Sequence, residues 1–271
     1  MPDSPDWASV PSSARIANLF TGGTNNYEVD RLLAQQLRQV VAWLPQMLLI
    51  NRHFGQRAVE HMAGELGLTQ FLDLGCGLPF NPDARPEKPL HTYDAARRFC
   101  DPRVAYIDSN PMVHGHANVC LAEHPGTAPV HADMRQVDHL LANPALLSVV
   151  NVRRPVAVLG NDLFAWMSDE DAARCIADLH DRLAPGSALS VSHASTDTDP
   201  DAMTALTDIY AEHGIVFRPR TREHIRRLLG PWEPVSPGIV ATAHWPKAPQ
   251  SLPGADQSHS YATVARRTDV S

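Results

Sequence analysis

Three acidic residues end successive short apolar runs, each in a setting that suits a nucleoside. The first run, Phe71-Leu-Asp-Leu-Gly-Cys-Gly-Leu-Pro79, carries Asp73, Gly75 and Gly77, and the missing side chains let a ligand lie directly on the backbone. Tyr106-Ile-Asp108 and Val130-His-Ala-Asp133 end the next two. In doubly wound sheets, ligands bind beyond the carboxyl ends of the strands, where the strand order reverses. A carboxylate after the second strand can accept hydrogen bonds from both ribose hydroxyls of an adenosine, and one after the third can face the adenine amino group. Each element alone reads as a tight turn or a helix cap; all three in order point to one adenosine site. A dinucleotide fingerprint would place a third glycine where Phe80 stands, and Pro79 and Pro82 block the helix whose N-terminus a diphosphate needs. A nucleoside without phosphates, S-adenosylmethionine, fits better than the cofactor of a nucleotide-dependent oxidoreductase.

Methyl transfer from a sulfonium is an in-line displacement on an already activated donor. The protein has to align the nucleophile, exclude water and, where needed, take a proton. Groups for this are expected after the fourth and fifth strands and in the N-terminal helices. Asn161 and Asp162, in Leu159-Gly-Asn-Asp-Leu-Phe-Ala-Trp166, are candidate catalytic residues that also suit a turn and a cap. Phe164 and Trp166 are candidate walls for a substrate, and also read as core. His193, in Val191-Ser-His-Ala194, is a candidate general base and substrate contact because its ring titrates near neutrality. Tyr27 is a second catalytic and substrate-binding candidate, its phenol able to orient a heteroaromatic nucleophile. The histidines are scattered: His114 and His116 do not share a helix face, and His131-Ala-Asp133 is no zinc pattern, so no metal is expected.

These residues need a frame, and composition bounds it. The chain has 271 residues and a formal charge of −7, which fits one large α/β domain and argues against a broad nucleic-acid surface. At 44% hydrophobic it suits a packed core. No apolar run approaches the roughly 18–20 residues that span a bilayer, and the start lacks the pattern of a secretory signal. Cys76, Cys100, Cys120 and Cys175 form no CxxC pair, as expected of reduced thiols in a cytoplasmic protein. Proline is abundant, at 23 residues, and clusters in 79–89 and 246–253. Residues 1–66 read as an arm and a helical lid, with helices near 13–20, 28–44 and 45–66. From residue 67 to 271, strands at 70–74, 103–108, 129–131, 155–160 and 188–193 alternate with helices near 91–99, 111–123, 136–141, 169–183 and 200–213. A helix at 222–229 precedes strands around 232–235 or 238–243 and at 261–266. Such alternation implies right-handed βαβ units, hence a Rossmann-like doubly wound α/β domain.

Asp73-Leu-Gly-Cys-Gly77 resembles the first motif of class I S-adenosylmethionine-dependent methyltransferases. More closely, the chain is similar to the actinobacterial S-adenosyl methyltransferase family catalogued as DUF574. The likeness is carried by Ser13-Ala-Arg-Ile-Ala-Asn18, Gly22-Gly-Thr-Asn-Asn-Tyr27-Glu-Val-Asp30, Asn51-Arg-His-Phe54, Val104-Ala-Tyr-Ile-Asp-Ser-Asn-Pro111, Arg153-Arg-Pro-Val-Ala-Val-Leu159, Ser192-His-Ala194 and Tyr261-Ala-Thr-Val-Ala-Arg-Arg267. It implies a seven-stranded sheet whose last two strands form an antiparallel hairpin. By the resemblance, Asp73, Gly75 and Gly77 would line the methionine end of the cofactor, and Asp108 with Ser109 and Asn110 the ribose. Asp133 and Met134 would flank the adenine. The lid would bring Arg15, Asn18, Gly22, Gly23 and Tyr27 to the methionine end, and Asn161 would touch the cofactor too. The stretch 80–90 departs from the family pattern, in which a short loop enters a helix beginning Asn-x-His. The expected activity is methyl transfer to a small-molecule acceptor, a specialised metabolite of aromatic or indole-like kind, with no nucleic-acid or membrane partner and a homodimer as the assembly considered. The alternative is a non-catalytic sensor or assembly module that binds S-adenosylmethionine or its demethylated product.

Overall fold

Strand periodicity of two and helix periodicity near 3.6 resolve into a sheet sandwiched between helices. The computed structural model describes residues 7–79, 89–246 and 258–268. The expectations placed on 80–88 and 247–257, including the Pro82 block and the prolines at 86, 249 and 253, lie outside the described residues. Five strands run parallel: β1 (Gln70–Leu74), β2 (Arg103–Asp108), β3 (Thr127–His131), β4 (Ala157–Asn161) and β5 (Ala188–Ala194). The order β3-β2-β1-β4-β5 reverses between β1 and β4, and there the loops diverge to leave a crevice.

β8 (Ser260–Arg266) lies antiparallel beside β5, and β6 (Glu233–Pro234) and β7 (Val240–Ala241) both pair with β8. The two alternative sequence readings of the sixth strand are thus both used. Pro234 and Pro237 cannot donate to a ladder, and Gly238 turns with φ 87°, so the strand breaks into two short pieces. The expected seven-stranded sheet becomes eight-stranded for that reason alone.

Alternation along the strands sorts the core. Leu72, Leu74, Ile107, Val158 and Leu189 face α6 (Val137–Leu141), α8 (Asp169–Arg182) and α10 (Arg222–Leu228). Phe71, Val104, Tyr106 and Leu159 face α3 (Leu44–Gly64), α4 (Thr92–Ala96) and α5 (Pro111–Cys120). α3 is therefore a layer helix of the sheet, contributing Phe54, Val59 and Met62 to that face. α2 (Glu28–Val40) packs instead on α9 (Pro200–Glu212) and α1 (Ser13–Phe20) on α2 and α3, in one cluster holding Ile16, Leu33, Leu37, Met203 and Leu206. α7 (Pro144–Leu147), capped by the Asn143 side chain, escapes the sequence reading because four residues are too few to show a period.

Gly160 shows how closely β4 is packed. A Cβ there would stand 2.4 Å from Cε2 of the fully buried Phe164. Gly160→Ala is expected to lower stability by about 1–3 kcal/mol through overpacking, read as an earlier midpoint in chemical denaturation; an unchanged midpoint would show that the Phe164 ring yields freely.

Candidate functional site

A cavity of about 470 Å³ opens at the carboxyl ends of the parallel strands. The turn after β1 forms its floor. Gly75 and Gly77 take φ of +62° and +67°, a region that costs other residues strain. A Cβ on Gly75 would also stand 2.8 Å from Leu163 Cδ1. The Cys76 amide donates to the Ile107 carbonyl at 3.1 Å, tying the turn to β2. The Gly77 amide donates to Asp108 Oδ2 at 3.2 Å, and the Asn110 amide donates to Asp108 Oδ1 at 2.9 Å. Burial raises the Asp108 carboxyl above its usual range, while these amides pull it back. Asn110 in turn caps α5.

Asp73 accepts from Thr92 Oγ1 at 2.6 Å, and burial pushes its carboxyl up to about 6 against the pull of that bond and of Arg52. Asp133 lies at the mouth, gripped by Arg135 through Nε at 3.0 Å and Nη2 at 2.7 Å, which holds its carboxyl below the ordinary value. Met134 lines the same wall.

Beyond β4 the chain turns sharply. Asp162 sits at φ 54°, left-handed for a residue with a side chain, a conformation that surrounding structure must enforce. Its amide donates to the Ser192 carbonyl at 3.0 Å and to Ser192 Oγ at 3.0 Å. Its Oδ1 accepts from Ser192 Oγ at 3.0 Å and from Asn51 Nδ2 at 2.8 Å. Burial pushes this carboxyl up to about 6, opposed by the Ser192 bond and by Arg52. Asn161 accepts from Ser190 Oγ at 3.0 Å. Trp166 faces the cavity and is braced by Tyr210 and Phe217 at centroid distances of 5.4 and 4.8 Å.

The structure thus gathers Asp73, Gly75, Gly77, Asp108, Ser109, Asp133, Met134, Asn161, Asp162 and Trp166 around one cavity. The other candidates do not line it. Phe164 is fully buried in the core beneath β4. Arg15 is buried in an ion pair with Asp30, which also accepts from the amides of Ser12 at 2.9 Å and Tyr27 at 2.8 Å. Tyr27 covers Arg15, 5.0 Å from guanidinium carbon to ring centroid. Gly23 packs on the Asn18 side chain, where a Cβ would meet Oδ1 at 2.2 Å. These residues build the N-terminal layer; Ser13, Ala14 and Ala17 of α1 face the cavity instead.

His193 lies furthest from the rim position expected of it. All of β5 is buried, so the strand offers no rim position. The ring lies 1% exposed, its Nδ1 bonded to the Ala194 carbonyl and its Nε2 to Arg220 Nη1, both at 2.8 Å. Arginine can only donate, so Nε2 accepts and Nδ1 carries the proton. Burial drives the pKa down to about 3, and with both nitrogens bonded the ring leaves no lone pair free for an acceptor's proton. Arg220 meanwhile ties down the turn after β4 through the carbonyls of Phe164 and Met167, at 2.7 and 3.0 Å. Nitrogen NMR is expected to show the His193 ring neutral, in the Nδ1–H form, from pH 8 to about 5. A midpoint near 6.5 would contradict the buried arrangement.

The sequence reading missed Asn51, Arg52 and Thr92. A signal for the first existed: Leu48, Asn51 and Gly55 fall on one helical face at spacings of three and four, and a polar residue on a buried stripe needs a partner. Among the described residues, no group of three His, Cys, Asp or Glu could hold a metal, and no helix is long and apolar enough to cross a membrane.

A family model for the S-adenosyl methyltransferases matches residues 5–268. A candidate methyltransferase from Thermobifida fusca YX, known from a crystal structure, is 32% identical with a TM-score of 0.87, over 97% of this chain and 97% of that one. A DUF574 family protein from Streptomyces avermitilis MA-4680 is 29% identical with a TM-score of 0.88, over 96% and 98%. No curated protein matches.

Proposed function

The chain belongs to the S-adenosyl methyltransferase family, and we propose that it moves a methyl group onto a small-molecule acceptor held between Trp166 and Asp162. The S-adenosylmethionine dependence of the family fits the residues present. The cavity lies within the roughly 300–1,000 Å³ of small-ligand sites, and a Cβ on Gly75 would crowd its floor. Asp108 would accept from the ribose hydroxyls beside Ser109 and Asn110. Gly75, Gly77 and Asp73 would face the methionine end, and Met134 the adenine, with Asp133 shared between the adenine and Arg135. When bound, the cofactor supplies a methyl group activated on a sulfonium. The chain supplies the rest: Trp166 and Met167 exclude water, the Gly75 turn fixes position, and Asp162 takes the acceptor's proton.

The observation that carries this reading is Asp162, a rigidly held carboxyl poised near neutrality in the same cavity as the glycine turn. Trp166 supports an aromatic acceptor, of the kind found among specialised metabolites; Tyr27 and Phe164, away from the cavity, no longer do. The net charge of −7 supports a small molecule over a nucleic acid, and four free cysteines suit the reducing cytoplasm. The test is release of S-adenosylhomocysteine from the protein with S-adenosylmethionine and a panel of phenols, amines and indoles. Turnover with any member supports transfer. Tight binding of both cofactor forms without turnover on any of them favours the sensor reading.

A further inference from the structure

Asn51 is the one buried side chain in the cavity wall with a hydrogen-bonding atom left over, among the described residues. It is 1% exposed, and its amide nitrogen is spent on Asp162 Oδ1 at 2.8 Å and Ser260 Oγ at 3.1 Å. The carbonyl oxygen has no partner. The opposite flip of the amide would set that oxygen against the Asp162 carboxylate, so the hydrogen bonds fix the orientation. A buried acceptor left empty pays its desolvation without return, and Asn51 lines the space where a ligand enters. A donor from that ligand can satisfy it, and Asp162 stands next to it.

We propose that Asn51 and Asp162 form a two-point dock for a protic nucleophile, an acceptor presenting N–H or O–H groups, with Asn51 Oδ1 accepting one hydrogen and the Asp162 carboxylate the other. This rests on the cofactor reading above and adds the class of acceptor. In the step it serves, the heteroatom's lone pair forms a bond to the methyl carbon while the carbon–sulfur bond breaks and its electron pair stays on sulfur. The heteroatom's proton passes to Asp162. An acceptor with no N–H or O–H group leaves Asn51 unpaired and is disfavoured. Asn51 lies on α3 and Asp162 follows β4, 111 residues on, so the dock forms only in the folded domain. Asn51 acts by positioning, whereas Asp162 touches the reacting group.

Sinefungin provides a probe, because a carbon bearing a primary amine replaces the methyl-sulfonium of the cofactor. Its ammonium nitrogen takes the place of the methyl carbon, so its N–H groups point into the space from which the acceptor approaches. Calorimetry is expected to show the wild type binding sinefungin about tenfold or more tighter than S-adenosylhomocysteine, as one charge-assisted hydrogen bond provides. Asn51→Leu and Asn51→Ser should both bring that ratio towards one and leave the affinity for S-adenosylhomocysteine within about twofold of wild type. Equal affinities in the wild type overturn the dock, without reference to how any variant folds. So does an unchanged ratio in the variants, or a parallel loss of both ligands, which would assign Asn51 to the cofactor itself. Failure of the wild type to bind S-adenosylhomocysteine at all is a different result, and removes the cofactor reading first.

Discussion

Asp162→Asn is expected to lower kcat by about 100-fold or more, the usual worth of a general base, with the affinity for S-adenosylhomocysteine little changed. The asparagine can keep the Ser192 hydroxyl and still occupy the left-handed backbone, which Asn tolerates. What it loses is the capacity to take a proton. The carboxyl lies near 6 because burial outweighs Ser192, Arg52 and Asn51; Asp73, across Arg52, sits near 6 as well. Asp162 must be ionised to accept, so wild-type kcat/KM should rise with pH through about 6 to a plateau, and the variant should lose that limb. A stability effect of definite sign accompanies it. A carboxyl whose folded pKa exceeds its unfolded value stabilises most at low pH and loses that contribution as pH rises through about 6. Asp162→Asn removes the loss, so its melting temperature relative to wild type should climb between pH 4 and 7. His193 runs the other way, since a folded pKa of about 3 costs stability as pH falls below the unfolded value. The wild-type curve alone therefore mixes opposite slopes, and only comparison with the variant isolates one. A kcat unchanged by the substitution would take the proton-transfer role from Asp162.

Asp108→Ala should weaken S-adenosylhomocysteine binding by about 100-fold or more. Hydrogen bonds to a charged group are each worth about 1.5–3 kcal/mol, and two ribose hydroxyls would be lost together. The carboxylate also anchors the Gly77 amide, so the floor of the cavity loosens at the same time. Asp108→Asn separates the two effects: it keeps one acceptor for the loop but replaces the other with a donor, and should recover only part of the affinity. Calorimetry on both variants checks this, and a loss below threefold in Asp108→Ala would place the ribose elsewhere.

The contrast between Asp108 and Asn51 shows what a sequence exposes. Asp108 ends an apolar run, and strand, acid and following helix cap are adjacent in the chain. Local pattern therefore sufficed to place it, together with Asp73 and Asp133, around the carboxyl ends of the strands. Asn51 meets Asp162 across 111 residues, a contact that only the packing of α3 on the sheet creates. His193 failed for the reverse reason. Strand-end position suggested a rim, but β5 is covered on both faces and Arg220 comes from a loop 27 residues away. Arg15 and Tyr27 stand near the cavity wall in sequence terms, yet Asp30 recruits them into the N-terminal layer. Proline at 234 and 237 broke the sixth strand in two, so the two places the sequence offered as alternatives are both strand.

A crystal structure with S-adenosylhomocysteine tests the central claim most directly. The ribose hydroxyls should lie within hydrogen-bonding distance of both Asp108 oxygens, with the thioether sulfur opening towards Asn51, Asp162 and Trp166. Ligand density away from the Gly75–Gly77 turn, or a ribose out of reach of Asp108, would contradict the account.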